Sequence, residues 1–135
     1  MEFKRYVAKM DLNSPGTENR IEEVQMGLGI RFPIEYINFM LNSNGAEGFV
    51  SESYLAIWPL EKLISLNEEY AVKEFTPELV YFGSDGGGLA YAFDISRPII
   101  SIVEFPFESI RIEDAKFCGN TFIEFLDCLY HKSNP

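Results

Sequence analysis

The sequence predicts an α+β domain: a mainly antiparallel sheet of about four to five strands, packed with N-terminal helices and a C-terminal helix. Three observations carry this expectation. Apolar residues ahead of Gly45 recur at helical spacing; Leu79–Asp94 reads LVYFGSDGGGLAYAFD, two apolar runs about a glycine-rich reversal; and a capped apolar stripe follows Thr121. At 135 residues the chain is most simply one domain, residues 1–135, with no repeat or linker dividing it.

Phe3, Tyr6, Val7 and Met10 share one helical face while Lys4, Arg5 and Lys9 stand off it, which predicts a short amphipathic helix over Met1–Met10. Asn13, Ser14, Pro15 and Gly16 break it. Thr17 caps a second helix with the stripe Ile21, Val24 and Leu28, ended by Gly29. Pro33 suits the first turn of a third, in which Tyr36, Ile37, Met40 and Leu41 cluster before an Asn44-Gly45 stop.

From Glu47 to Trp58 the pattern is less regular; Tyr54–Trp58 reads as a short strand ahead of Pro59, with Trp58 in the core. Leu60, Leu63 and Ile64, followed by Tyr70 and Ala71, predict a helix whose outer face carries Glu61, Ser65, Glu68 and Glu69. Val80, Tyr81 and Phe82 favour a pleated backbone, and Gly83–Gly88 supply the reversal into LAYAF, so a central hairpin is expected with at least one of Gly86, Gly87 and Gly88 at positive φ. Its nearly continuous apolar runs suit a strand pair covered on both faces. A phosphate-binding reading of the glycines fails: the P-loop lysine and spacing are absent, and the glycines lead into a strand rather than a helix.

Ile99–Val103 is β-branched and predicts a third good strand, limited by Pro106; Ile110–Ala115 reads as a short edge strand. Thr121 with Glu124 fits a capping box ahead of a final helix with Phe122, Phe125, Leu126 and Leu129 inward.

The chain holds 11 basic and 21 acidic residues, a formal net charge of −10. Direct nucleic-acid binding is therefore not expected, since it depends on neutralising phosphates with Lys and Arg. Met1–Arg20 is slightly basic, so the acidity belongs to the rest of the chain. Cys118 and Cys128 are expected to be free thiols, with Cys128 well inside a helix and awkward to bridge. His131 and Cys128 share a helix face, but two ligands do not make a zinc site. No signal-like or membrane-spanning apolar stretch is present, so a cytoplasmic location without membrane contact is expected.

IEEVQMGLGIRFPIEYINFMLNSNG, Ile21–Gly45, resembles the opening motif of the SUKH (Smi/Knr-like) superfamily. The hairpin resembles that superfamily's second motif, and FIEFLDCLY its closing helix. The resemblance implies a non-enzymatic protein-binding domain: many such proteins are bacterial immunity proteins that neutralise a cognate toxin, often a nuclease, and fungal relatives regulate cell-wall synthesis. The alternative is an intracellular regulatory or scaffold domain binding a housekeeping protein.

The residues agree with the absence of chemistry. One histidine and no GxSxG leave nucleophilic hydrolysis without its usual parts. Asp85 and Asp94 flank the hairpin, but read better as a turn former and a strand terminator than as cation ligands. No cofactor and no metal are expected. Between Glu47 and Glu78 seven acids meet only Lys62 and Lys73. Such a run is usually a solvated face; the sharper expectation is that Glu61, Glu68 and Glu69, with Glu52 and Asp85 beside them, face a basic protein partner such as a toxin domain.

Overall fold

A computed structural model describes residues 3–132. Seven antiparallel strands form one sheet whose spatial order follows the chain: β1 (Met10–Leu12), β2 (Ala46–Val50), β3 (Ser53–Ile57), β4 (Leu79–Ser84), β5 (Leu89–Asp94), β6 (Ser101–Pro106) and β7 (Lys116–Gly119). Six helices accompany it: α1 (Lys4–Val7), α2 (Glu18–Leu28), α3 (Ile34–Asn42), α4 (Leu60–Glu69), α5 (Val72–Phe75) and α6 (Phe122–His131). The α+β class is as expected, but the sheet has seven strands rather than four or five.

The inner face of the sheet carries the main core. Phe82, Tyr91, Phe93 and Ile102 meet Tyr36, Phe39 and Met40 of α3 and Phe122, Phe125, Leu126 and Leu129 of α6. Phe3, Tyr6, Val7 and Met10 are buried with them, so the apolar face at the N-terminus is the expected one. Its conformation is not. Of residues 3–10 only Lys4–Val7 is an α-helix, and Met10 opens a strand because it pairs with Gly48 across the sheet. Met1 and Glu2, the start of the expected helix, lie outside the described residues.

The caps follow the sequence closely. The Thr17 side chain accepts from the Arg20 amide, and Gly29 closes α2 at φ 71°. Thr121 accepts from the Glu124 amide, while the Glu124 carboxylate accepts from the Asn120 amide, one position upstream of the expected box. Glu35, on α3, also accepts from the Ile123 amide and so satisfies another free donor at the start of α6.

β4 and β5 form the expected hairpin at the centre of the sheet, with Gly86 at φ 80°. Both faces are covered, as their composition implies. On the outer face, Leu79, Tyr81, Ala90, Ala92, Val103 and Phe105 are sealed by Val72 of α5 and by Phe107, Ile112 and Ala115. Trp58 is half-buried rather than fully in the core: it packs against both clusters and stacks at 6.4 Å on Tyr70 and 6.5 Å on Phe107.

Other boundaries moved for identifiable reasons. Ile99 is 80% exposed and outside β6, which runs on through Pro106; that proline sits at the strand's last position, where Leu89 lies opposite. Ile110–Ala115 is not a strand. Ser109 accepts from the Arg111 amide and donates to Asp114, winding the segment into a 3₁₀ turn over Ile112–Asp114, and the edge strand forms only at Lys116. α4 ends at Glu69, because Ala71 takes φ 51° and restarts the chain as α5. The inward side of α4 includes Asn67, whose amide clamps β4: its Oδ1 accepts from the Tyr81 amide at 2.9 Å, and its Nδ2 donates to the Tyr81 carbonyl at 2.9 Å. That clamp sits beside the irregularity between Tyr81 and Gly83, where β4 changes register against β5.

Cys118 and Cys128 are both free. They lie on packed elements, β7 and α6.

Candidate functional site

The acidic residues singled out from the sequence do not form one cluster. Glu61, Glu68 and Glu69 are exposed on α4, as the helical spacing requires. Glu61 is nevertheless committed to the fold. Its Oε2 accepts from Asn44 Nδ2 at 2.9 Å, while Asn44 Oδ1 accepts from the Leu60 amide at 2.8 Å and so caps α4, whose preceding Pro59 has no capping side chain. Asn13 donates to the Asn44 carbonyl, and the Asn44 amide donates to the Ser14 carbonyl. Glu61 thus closes a knot joining three distant stretches. Glu68 and Glu69 form no ion pair among the described residues.

Asp85 and Glu52 lie towards the end of β3 away from the start of α4, in the turns of the β4–β5 and β2–β3 hairpins. Asp85 is a turn former: its Oδ1 accepts from the Gly87 amide at 2.8 Å and the Leu89 amide at 3.1 Å. Asp94 likewise terminates β5 by accepting from the Ser96 amide. Glu52 is exposed in the β2–β3 turn, beside Ser51 at φ 58°. These two tips flank a surface that the sequence reading missed.

That surface is the outer face of β1–β3. Along β2, Ala46 and Val50 are buried while Glu47 and Phe49 are exposed; along β3, Leu55 and Ile57 are buried while Tyr54 and Ala56 are only partly covered. Register places Asp11 opposite Glu47, Glu47 opposite Ala56, and Phe49 opposite Tyr54. The Phe49 and Tyr54 rings meet edge to face at 5.4 Å, and the Tyr54 hydroxyl donates to Glu47 Oε2 at 2.6 Å. That bond, reinforced by the charges of Glu47 and Asp11, holds the phenol above its ordinary pKa. Gly86 completes the rim, since a Cβ there would stand 2.8 Å from the Tyr54 ring. No signal in the sequence alone marks this face, because β1 and β2 are short and their alternation is visible only once they are paired.

A groove of about 730 Å³ beside β6 and β7 is lined by Arg97, Ile99, Val103, Ile112 and Phe117, and its Asp94 is already engaged with Ser96. His131 lies 3.4 Å from Asp127 on the surface of α6. Burial first, then the neighbouring Cys128, pushes the Cys118 thiol up to about 12, far from the range of a reactive thiolate. Among the described residues no group of three or more His, Cys, Asp or Glu could hold a metal ion, and no helix is long and apolar enough to cross a membrane.

Residues 15–128 match the model of the SMI1 / KNR4 family (SUKH-1), a span running from the break after β1 almost to the end of α6. No curated protein matches the chain.

Proposed function

Because this chain belongs to the SMI1 / KNR4 family (SUKH-1), we propose that it is a non-enzymatic protein-binding domain that neutralises a basic toxin domain, such as a nuclease, as an immunity protein. The observation that carries this reading is the excess of acid in a family fold: net charge −10, with exposed carboxylates on α4 and on the open end of the sheet. An acidic surface suits a partner whose own basic surface is built to hold phosphates. It covers that surface and competes with nucleic acid for it.

Exposed charges such as Glu68 and Glu69 act over a Debye length of about 8 Å at physiological ionic strength, so their contribution lies mainly in the association rate. The test uses the partner captured from the native cell and identified. Glu68→Lys with Glu69→Lys should slow association several-fold, on the order of 3–10, and flatten its dependence on salt, with the thermal midpoint unchanged. Glu61 is left intact in this variant, because reversing it would break the Asn44 knot and confound binding with stability. A neutral or acidic captured partner, or a salt-independent rate, would sink the proposal. A captured housekeeping protein in place of a toxin would favour a regulatory domain instead.

A further inference from the structure

The outer face of the sheet is divided. Over β4–β6 it is sealed by α5 and the segment Phe107–Ala115, whereas Asp11, Glu47, Phe49 and Tyr54 on β1–β3 belong to neither hydrophobic cluster. Phe49 is 50% exposed. Two features of this open half work against the stability of the chain alone. Aromatic surface is left in water, and two carboxylates are held directly opposite each other across antiparallel strands, where like charges repel. Neither Asp11 nor Glu47 forms an ion pair among the described residues. One kind of group relieves both at once: a planar cation that lays its face on a ring and its N–H fork on a carboxylate.

We propose that the open outer face of β1–β3 is the docking surface for a basic protein partner, and that it receives arginine side chains against Phe49 and Tyr54, with Asp11 and Glu47 as their counter-charges. Glu52 and Asp85 stand at the two hairpin tips that border the face, so the surface carries acid at its rim as well as at its centre. Tyr54 is pre-positioned for this role. Its ring is backed by Gly86 and its hydroxyl is held by Glu47, so little side-chain freedom remains to be lost on binding. The labour is divided: Glu68 and Glu69 on α4 contribute to steering, while the sheet face makes the contact that sets the lifetime of the complex.

This inference rests on the reading of the chain as a binder of a basic protein, and its test is made independent of any natural partner. The probe is an acetylated, amidated tetra-arginine peptide titrated into ¹⁵N-labelled protein, with tetra-lysine as the comparison. Saturable amide shifts should concentrate at Asp11, Glu47, Phe49 and Tyr54, and tetra-arginine should bind more tightly than tetra-lysine. Phe49→Ser and Asp11→Asn should each weaken tetra-arginine by about threefold. The thermal midpoint of Asp11→Asn should stay level or rise, because one of the two opposed charges is removed. Shifts spread evenly over the acidic surface, or gathered on Glu68 and Glu69, would overturn the proposal. So would an Asp11→Asn variant that melts earlier yet binds the peptide unchanged. Failure to capture a basic partner would count against the toxin-neutralising reading alone.

Discussion

Phe122→Ala is expected to lower the unfolding free energy by about 3–5 kcal/mol in a denaturant titration, the range for truncating a fully buried aromatic side chain. Phe122 is the first residue of α6 and has no exposed surface. Its ring lies 5.3 Å from Phe39, 5.7 Å from Tyr36, and 5.8 Å from both Phe3 and Phe125, so α1, α3 and α6 all lean on it. Truncation leaves a void bordered by rigid rings that cannot easily collapse into it. A loss below about 1 kcal/mol would mean that this aromatic cluster repacks freely and is not the keystone of the inner core.

Gly83→Ala should be nearly as damaging, at about 3 kcal/mol or more, and through a different cause. The ladder between β3 and β4 is short, Ala56 with Ser84 and Ile57 with Gly83, extended just beyond by the Trp58 amide donating to the Phe82 carbonyl at 3.0 Å. A Cβ on Gly83 would collide with the carbonyl oxygen of Ala56, a backbone atom with no freedom to swing aside. The substitution therefore acts at the narrow junction that joins β1–β3 to the rest of the sheet. Amide protection in β1–β3 should fall before that in β5 and β6, and peptide binding at the open face should fall with it. Wild-type stability in Gly83→Ala would show that the junction tolerates separation.

The hairpin of β4 and β5 was readable because its signals are local: two apolar runs and a glycine-rich turn lie next to each other in the chain. The helix caps at Thr17 and Thr121 were readable for the same reason. β1, β2 and β7 were not. Each has three to five residues and owes its conformation to a partner strand, which for β1 lies beyond two helices. Buried polar links were equally hidden. Nothing in its own sequence neighbourhood distinguishes Asn67, which satisfies the backbone of Tyr81, from a solvated helix residue, and the same holds for Asn44, which caps α4 and occupies Glu61. The site suffered in consequence. The acidic stripe on α4 follows from helical periodicity, whereas the juxtaposition of Asp11, Glu47, Phe49 and Tyr54 exists only after three strands have been paired.

Cross-saturation from the unlabelled captured partner to the amides of ¹⁵N-labelled protein reads out whether this chain meets a basic protein through the open end of its sheet. Signal loss should concentrate at Asp11, Glu47, Phe49 and Tyr54, with Glu68 and Glu69 spared. Signal loss confined to α4, or to the groove lined by Ile99 and Phe117 beside β7, would contradict it.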